Sequence, residues 1–340
     1  MIPTVSVLMP VLNEEASVAR AVHSVLQQEG VQVEVLVVDG RSVDGTVAVV
    51  SQLAARDPRV RLLDNPRTVI PAGLNIGLAS SRGDYIARVD GHTFLDSTYF
   101  ARALAWFAED ARLGAVGGKR EGFSAGLMGR TIALALSSPF AIGNSINHFG
   151  KARTLTDHAS QGVWRAEAAR VVNGWDENLL VNEDVDFDHR ILQQGWTIGY
   201  DPEMRVNWQV RDSVRSLFAQ YRRYGRGKGL MVLKNGRSAL RLRHVVPPLA
   251  VLGAVAVTLI GLRWPVILLL GLPYVLATLV ASVRTWRRRP DATAAMRPAA
   301  LPLIFAAIHG AWGLGMLEGL VLRREPRIAS GKVGVRVSQA

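Results

Sequence analysis

Three long apolar segments near the C-terminal end of this 340-residue chain limit the folds that are open to it. They lie at about residues 245–262, 264–283 and 299–322, and each approaches the ~20 residues that a helix needs to cross the hydrocarbon core of a membrane. Core helices of soluble proteins seldom lack charged side chains over such lengths. The segments therefore predict a transmembrane helical region, with a soluble helical domain as the alternative.

The positive-inside rule leaves the topology of these segments open. With the preceding domain in the cytoplasm, the first two segments form a hairpin, and the basic loop from Arg284 to Arg297 lies inside. A third complete span then places the basic tail, residues 323–340, outside, against the rule. Either the rule fails here or one segment does not span. The third segment contains His309, Glu318 and the pair Gly315 and Gly319, which indicate helix packing or an embedded polar role.

The residues before these segments alternate between short β-branched runs and helical spacing. The runs 5–9, 33–38, 60–63 and 85–89 have the length of strands, and helical patterns lie between them. This alternation predicts an α/β domain in which a mostly parallel sheet is covered by helices on both faces. Ligands bind at the carboxyl ends of the strands in such sheets. Polar clusters follow three of the runs, at Asn13-Glu14, Asp39-Gly40 and Asp90-Gly91-His92.

The N-terminal sequence MIPTVSVLMPVLNEE has no basic n-region, and its apolar run is too short for a signal peptide, so we expect this domain in the cytoplasm. The chain has no cysteine, which excludes thiolate catalysis and zinc-thiolate sites. The segment 126–149 is apolar but is interrupted by Arg130, Pro139 and Asn144. It is expected either to lie on the membrane surface or to form a buried helix.

The formal net charge of +12 predicts an anionic partner. The basic residues are dense just before the apolar segments, and the belt 205–243 predicts attraction to anionic lipids, worth roughly 1 kcal/mol per Lys or Arg near the surface. A solvated basic helix is the alternative. No nucleic-acid partner is expected, because the C-terminal part is hydrophobic and no aromatic residues alternate with a soluble basic stretch. The basic residues of the belt are Arg205, Arg211, Arg215, Arg222, Arg223, Arg226, Lys228, Lys234, Arg237, Arg241 and Arg243.

Two of the strand-end clusters suit the parts of a nucleotide. Asp39 and Asp44 lie in the string DGRSVDGT, whose glycines let the backbone approach a ligand closely, and a carboxylate there can bind a base or a ribose. The same string also fits a turn and an N-cap. Asp90 and His92 could converge on one divalent ion, since carboxylate oxygen and imidazole suit Mn²⁺ well and Mg²⁺ less well. A surface turn is the alternative for this pair.

Four carboxylates occupy six residues at the start of a predicted helix: Glu183, Asp184, Asp186 and Asp188. Acidic residues at a helix N-terminus can simply favour the helix dipole. Four of them exceed what capping needs, and one could act as the general base that activates an acceptor hydroxyl.

These motifs occur in a recognisable order and spacing. PVLNEE, DGRSVDGT, the strand-terminal Asp90-Gly91-His92, VNGWDENL and NEDVDFDHR resemble those of inverting family 2 glycosyltransferases of the GT-A fold, a Rossmann-like α/β fold. The resemblance covers about residues 3 to 230, so we expect a catalytic domain at 1–230, a helical region at 245–322 and a tail at 323–340. With NPRTVIPAGLNIGL and QYRRYGRGK, the chain looks like the succinoglycan-type exopolysaccharide glycosyltransferases, which have C-terminal membrane segments.

The resemblance implies a role for each matched position. Asp184 is the catalytic base, with Glu183 beside it near the acceptor. The metal and diphosphate lie at Asp90 and His92, where the family usually has Asp-x-Asp. The remaining positions contact the donor or acceptor: Pro10, Asn13, Glu14, Asp39, Asp44 and Asp90 bind the donor nucleotide, while Gln220, Arg223 and Tyr224 follow the QxxRW motif near the diphosphate and acceptor. A basic interfacial helix is the alternative for the last three.

The expected reaction is the transfer of a sugar, most simply a hexose, from a UDP- or GDP-sugar with a divalent cation, Mn²⁺ or Mg²⁺. The expected acceptor is a polyprenyl-diphosphate-linked saccharide, with a bare polyprenyl phosphate as the second choice. Three short spans are too few for the channel of a processive polymerase. The expected location is a bacterial inner membrane, crossed several times, with the catalytic domain in the cytoplasm. A non-catalytic membrane scaffold with a degenerate domain is the alternative from a different class.

Overall fold

The computed structural model describes residues 3–236, 240–289 and 295–323. Arg237 of the basic belt and all of the predicted tail beyond Arg323 therefore lie outside the described residues. The N-terminal part is an α/β domain. Its strands are β1 (Thr4–Val11), β2 (Gln32–Asp39), β3 (Val60–Asp64), β4 (Tyr85–Arg88), β5 (Thr93–Leu95), β6 (Leu113–Phe123), β7 (Thr154–Thr156), β8 (Val163–Arg165) and β9 (Thr197–Gln209).

Helices connect most of these strands. They are α1 (Val18–Leu26), α2 (Thr46–Arg56), α3 (Ile70–Ser80), α4 (Tyr99–Glu109), α5 (Leu127–Leu136), α6 (Pro139–Ile142), α7 (Ile146–Phe149), α8 (Ala166–Val171), α9 (Glu183–Gln193) and α10 (Val214–Asn235). After them come α11 (Leu242–Gly261), a 3-10 helix (Pro265–Gly271), α12 (Leu272–Arg287), a 3-10 turn (Pro298–Ala300) and α13 (Leu301–Leu322).

One sheet organises the domain. Its strand order is β3-β2-β1-β4-β8-β6-β9-β5, and β7 also pairs with β9. The first four strands are parallel, as is the β6–β9 pair, whereas β8, β5 and β7 run antiparallel to their neighbours. The predicted α/β class is confirmed, and the sheet is mixed because three short strands return against the parallel ones.

The register of the parallel strands sets the position of the site. Val11 of β1 pairs with Asp39 of β2, and Leu8 of β1 pairs with Arg88 of β4. The segments that follow β1, β2 and β4 therefore leave the sheet at the same edge. This is the edge at which the sequence places its nucleotide and metal motifs.

The sheet is buried on both faces, which explains the continuous apolar character of its central strands. On one face, Val5, Val7 and Met9 of β1 pack in a core with residues of α1, α2 and α4. On the other face, Leu8 packs in a core with Leu74 of α3 and with residues around α9. Alternate residues of one strand thus anchor helices on opposite faces.

Three C-terminal helices are long and apolar enough to cross a membrane: Leu242–Gly261, Pro265–Arg287 and Pro298–Leu322. The first two are mostly exposed, with 11% and 17% of their most apolar windows buried, whereas half of the third is buried. The exposed apolar surface of the first two suits contact with lipid. The third helix packs instead against the rest of the protein.

The glycines of α13 lie against α10. The Cα of Gly315 faces the carbonyl oxygen of Arg222, and that of Gly319 faces the carbonyl oxygen of Arg226. On the other helix, Gly225 and Gly229 lie against the backbone of α13. The helices run in the same direction at backbone contact distance, as small residues permit. This confirms the packing role predicted for the Gly315 and Gly319 pair.

The segment 126–149 folds into α5, α6 and α7. Ile132 and Ala135 of α5 are fully buried in a core that also contains Ile304 and Phe305 of α13. One face of this segment is therefore covered by the third apolar helix.

Candidate active site

The loops after β1 and β2 are held together by hydrogen bonds. Asn13, in the left-handed region with φ 57°, donates its backbone N–H to Ser42 Oγ at 2.8 Å, and its side-chain oxygen accepts from the N–H of Val43 at 2.9 Å. Asp39 is buried and accepts from the N–H of Ser42 at 3.0 Å. Pro10 pairs with Val38 in the adjoining strands. The predicted nucleotide residues thus form one connected edge.

Asp44 has a structural role in that edge. Its carboxylate accepts from the N–H and the hydroxyl of Thr46, at 3.0 and 2.5 Å, and from the N–H of Glu15 at 3.2 Å. Burial raises the pKa of Asp44, but these hydrogen bonds lower it below its ordinary value overall. The bonds to Thr46, the first residue of α2, hold the turn that precedes this helix.

Arg88 joins the end of β4 to the start of α9. This buried guanidinium donates from Nε to Asp90 Oδ1 at 2.9 Å and from Nη1 to Glu183 Oε1 at 2.8 Å. The second Asp90 oxygen accepts from Gln161 Nε2 at 2.8 Å. Burial raises the pKa of Asp90, but Arg88, His92 and the hydrogen bonds lower it overall. Two predicted site residues, far apart in sequence, are therefore fixed by one arginine.

His92 is held by a residue of the β1 loop. Its Nδ1 lies 2.8 Å from Glu14 Oε1, and the other Glu14 oxygen accepts from Ser17 Oγ at 2.7 Å. Burial lowers the pKa of His92, but the hydrogen bond to Glu14 and the charges of Glu14 and Asp90 raise it overall. A Cβ on Gly91 would lie 2.9 Å from Val11 and 3.1 Å from Glu14. Glycine at this position lets the two loops meet.

The four carboxylates of α9 have separate partners. Glu183 pairs with Arg88 as described. Asp186 accepts from Arg190 Nε at 2.9 Å and from Lys234 Nζ at 3.0 Å, which ties α9 to the end of α10. Asp188 accepts from Trp164 Nε1 at 2.8 Å and the N–H of Ala159 at 2.7 Å, and its Oδ2 lies 2.7 Å from His158 Nδ1.

Asp184 is the carboxylate of α9 that stays accessible. Its side chain is 31% exposed, and its Oδ2 lies 3.6 Å from His158 Nε2. Burial raises the pKa of Asp184, but the charges of His158 and Arg88 lower it overall, so the group is an anion at neutral pH. Glu183 differs, because burial and the charge of Asp184 raise its pKa despite Arg88. The environment therefore distinguishes the two acids: Asp184 is the accessible anion, and Glu183 is the buried acid with the raised pKa.

The residues at Asp90 and His92 fit a cation that shares its coordination with a ligand. Within the described residues, no group of three or more His, Asp or Glu side chains is arranged to hold a metal by itself. Asp90 and His92 are both partly exposed. His92 makes its hydrogen bond through Nδ1, so its Nε2 is available to bind a metal ion. One carboxylate, one imidazole and the oxygens of a diphosphate form a ligand set that suits Mn²⁺ better than Mg²⁺.

The QxxRW-like residues lie on α10, beside the start of α9. Gln220 Nε2 donates to the hydroxyl of Tyr224 at 3.0 Å, and the carbonyl oxygen of Tyr224 accepts from Asn182 Nδ2 at 3.2 Å. Asn182 has φ 61° and is the N-cap residue of α9. Arg223 is exposed on the same helix. The structure thus brings Tyr224 to the start of α9 and leaves Arg223 at the surface.

Sequence reasoning missed three side chains of the site: Arg88, His158 and Gln161. Arg88 is a charged residue in an otherwise apolar strand, which is itself a signal of a buried functional charge. His158 and Gln161 lie in the polar string DHASQG just before the buried strand β8. Their partners are distant in sequence, so their roles depended on the tertiary fold.

Comparison with known proteins agrees with this geometry. The profile of Glycosyl transferase family group 2 matches residues 85–308, more than half of the chain. The chain belongs to the family 2 glycosyltransferases. A second profile, Glycosyl transferase family 2, matches residues 6–156 of this glycosyltransferase. The family resemblance predicted from the acidic motifs is confirmed.

Two curated relatives match most of the glycosyltransferase. The succinoglycan biosynthesis protein ExoA of Rhizobium meliloti is 30% identical over 248 residues, 71% of this chain and 73% of the relative. A Methanococcus voltae enzyme, dolichyl N-acetyl-alpha-D-glucosaminyl phosphate 3-beta-D-2,3-diacetamido-2,3-dideoxy-beta-D-glucuronosyltransferase, is 21% identical over 68% of this chain and 74% of its own length. The glycosyltransferase is therefore of the exopolysaccharide and glycan biosynthesis type.

Two solved structures share the fold. The mannosyltransferase PcManGT of Pyrobaculum calidifontis, in complex with GDP-Man and Mn²⁺, aligns with a TM-score of 0.67 at 19% identity over 94% of this glycosyltransferase and 88% of that chain. S. aureus TarS 1–349, in complex with UDP, aligns with a TM-score of 0.51 at 14% identity, covering 93% and 90%. The GT-A-like fold predicted from the sequence is confirmed.

Proposed function

We propose that this enzyme transfers a hexose, with inversion, from a UDP- or GDP-sugar to a polyprenyl-diphosphate-linked saccharide in exopolysaccharide or cell-envelope glycan biosynthesis. The observation that carries the proposal is the arrangement of α9. Its other carboxylates are held by Arg88, by Arg190 and Lys234, or by Trp164, and the partly exposed carboxylate of Asp184 lies beside them. A base placed next to a nucleotide edge is what direct displacement requires.

The chemical step follows from this placement. Asp184 accepts the proton of the acceptor hydroxyl, whose oxygen attacks C1 of the donor sugar. The bond between C1 and the diphosphate oxygen breaks, the electron pair leaves with the nucleoside diphosphate, and the anomeric configuration inverts. Arg88 fixes Glu183, the neighbour of Asp184, relative to Asp90 on the proposed donor side. Positioning of this kind lowers the barrier by reducing the entropy lost in the transition state.

A divalent cation fits the donor side of the site. Asp90 and His92 would hold it together with oxygens of the donor diphosphate. When bound, it supplies charge that stabilises the leaving nucleoside diphosphate. PcManGT was solved with Mn²⁺, which supports the same class of ion here.

The relatives support both substrates. PcManGT was solved with GDP-Man and TarS with UDP, so a nucleotide-sugar donor suits this fold. ExoA is named for succinoglycan biosynthesis, and the name of the M. voltae enzyme states a dolichyl-linked sugar phosphate as acceptor. The lipid-exposed α11 and α12 would keep the catalytic domain at the cytoplasmic face of an inner membrane, where a lipid-linked acceptor is held.

A labelling experiment tests the proposal. The full chain in membranes is given a panel of radiolabelled UDP- and GDP-sugars, Mn²⁺ and a bacterial lipid extract, and label in the organic phase is measured. We expect one donor to label a lipid and Asp184→Asn to abolish the labelling, while donor binding persists because the substitution is nearly isosteric.

The matched control is Asp212→Asn, which makes the same chemical change at an exposed acid before α10. It should keep wild-type labelling. Substantial turnover by the Asp184→Asn protein would disprove the assignment of the base. Label that appears only in water-soluble products would disprove the lipid acceptor, and no transfer with any donor would favour a non-catalytic scaffold.

A further inference from the structure

A buried lysine of α10 has no oxygen partner among the described residues. Lys228 is 5% exposed, and the hydrogen bond that its ammonium makes within the described residues is to the sulfur of Met231, at 3.6 Å. Thioether sulfur is a weak acceptor, and an ammonium removed from water costs several kcal/mol unless an anion offsets it. Burial of this kind indicates that an anionic ligand completes the site.

A second buried donor lies in the same region. Arg120 of β6 stacks over the ring of Trp208, with its guanidinium carbon 4.4 Å from the ring centroid. Its Nε is buried without a hydrogen-bond partner among the described residues. The charge of Arg120 acts on Asp184 and on His148, and that of Asp184 acts on Lys228. Both basic groups therefore lie within electrostatic range of Asp184, the proposed base.

Positive charges outnumber negative charges around Lys228. The charged groups that act on Lys228 are Arg241, Arg243, Asp157 and Asp184. Asp157 is already paired with Arg241 at 2.6 Å. Burial and the charges of Arg243 and Arg241 together lower the pKa of Lys228 to about 8, against the opposing charges of Asp157 and Asp184. Burial and the charges of Arg120, Arg243 and Lys119 likewise lower the pKa of His148, to about 3, which leaves it neutral.

The region lies between the catalytic residues and the first lipid-exposed helix. Arg243 is in the first turn of α11, and its side chain lies against Gly143, in the turn between α6 and α7. The donor edge at Asp39, Asp90 and His92 belongs to other loops. The largest charge effects on Lys228 come instead from Asp157, Arg243, Arg241 and Asp184. An anion held here would be on the acceptor side, at the level where the chain enters the apolar region.

We propose that Lys228, Arg120 and Arg243 bind the phosphate group nearest the lipid in a lipid-linked phosphate or diphosphate acceptor. Guanidinium groups match phosphate oxygens in geometry, and an ammonium adds a compact charge. The site would fix the acceptor so that its terminal hydroxyl meets Asp184. This inference rests on the proposed function, because it assumes a lipid-linked acceptor.

The test compares Lys228→Met with wild type, using the full chain in phosphatidylcholine nanodiscs. Methionine fills the buried space next to Met231 without a charge, so the fold should be retained. The probes are farnesyl diphosphate for the acceptor phosphate and UDP and GDP for the donor. We expect farnesyl diphosphate to bind about tenfold or more weakly to the variant, since hydrogen bonds to charged groups have this magnitude. Binding of UDP and GDP should be unchanged.

Two further variants and one further lipid test whether the loss of binding is specific to the charge of Lys228. Lys228→Arg should recover most of the affinity, and Lys151→Met, an exposed lysine with the same chemical change, should bind like wild type. Equal farnesyl diphosphate affinity of Lys228→Met and wild type would overturn the inference, as would a loss confined to UDP or GDP. If phosphatidylglycerol in the nanodisc removes farnesyl diphosphate binding, the site takes a lipid headgroup and the inference is also wrong.

Sugar transfer into lipid is measured on the same preparations to separate the two proposals. If wild type labels a lipid while Lys228→Met keeps full affinity for farnesyl diphosphate, the proposed function stands and this site does not. If wild type transfers sugar only to water-soluble acceptors, both the proposed function and the proposed phosphate site are wrong.

Discussion

At the scale of single residues, His158 links two carboxylates of one helix. Its Nδ1 lies 2.7 Å from Asp188 and its Nε2 lies 3.6 Å from Asp184. Burial lowers the pKa of His158, but Asp184 and Asp188 raise it above its ordinary value overall. The ring therefore keeps its proton to a higher pH than a solvated histidine, and its charge stabilises the anionic form of Asp184.

Replacing His158 with asparagine should move the acid limb of the rate profile to higher pH. Asparagine can still donate to Asp188, but the nearest positive charge to Asp184 is removed. Arg88 and Arg120 still favour the anion, and Glu183 disfavours it. The pKa of Asp184 should then rise, so activity is lost earlier as the pH falls. The measurement is kcat/KM against pH.

The control for this variant is His189→Asn. His189 lies on α9, and its ring contacts Gln193. Its acid limb should match wild type. An unchanged limb in the His158→Asn protein would show that His158 does not set the protonation of the base.

At the scale of elements, α10 connects α9, which bears the proposed base, to the last apolar helix. Lys234 at its end binds Asp186 of α9, and its glycines lie against the backbone of α13. The α10–α13 contact depends on the absence of side chains. It offers a direct test of how the C-terminal helices support the site.

Gly315→Ala should destabilise the protein and lower its activity. A Cβ at Gly315 would overlap the carbonyl oxygen of Arg222, so the helices must separate. Overpacking of this kind costs about 1–3 kcal/mol. The measurement is the thermal midpoint in detergent, together with transfer activity.

Gly310→Ala is the matched control, because a Cβ at Gly310 of the same helix meets nothing within 4 Å. Alanine is the better helix former by roughly 1 kcal/mol. The control should keep or raise the thermal midpoint. Equal behaviour of the two variants would contradict the close packing of α10 on α13.

The elements were more predictable from the sequence than their partners. The predicted runs 5–9, 33–38 and 60–63 fall inside β1, β2 and β3, because strand patterns are local. The pairing of Arg88 with Glu183 joins residues 95 positions apart, and nothing near either residue specifies it. The basic residues of α10 predicted a membrane surface. The glycines among them, Gly225 and Gly229, determine the tertiary contact instead, because they lie against the backbone of α13.

At the scale of the whole molecule, elements of the catalytic domain cover one side of α13, and α11 and α12 contact it as well. Ile304 and Phe305 pack with α5, and the stretch from Trp312 to Leu320 contacts α10. Half of the most apolar window of α13 is thus buried, against 11% and 17% for the other two apolar helices. We therefore expect two spans, α11 and the 265–287 helix, with α13 on the side of the catalytic domain. This arrangement also removes the conflict with the positive-inside rule.

Cysteine labelling can test this topology, because the chain has no cysteine of its own. Arg263→Cys lies between the two spans and should react with a membrane-impermeant maleimide added to spheroplasts. Val43→Cys, 90% exposed on the catalytic domain, and Arg323→Cys, at the end of α13, should react only after lysis. Reaction of Arg323→Cys before lysis, at the rate of Arg263→Cys, would show that α13 spans the membrane.

The support that α13 gives to α10 also orders events during synthesis. The sheet and the helix that bears Asp184 leave the ribosome first, and α10 follows, but the helix that holds α10 in place comes after both lipid-exposed helices. A nascent chain can therefore complete its sheet before α10 has made its contacts with α13. Under the proposed function, catalytic competence is then acquired only after α11 and α12 have been inserted, at the membrane surface where the proposed acceptor lies.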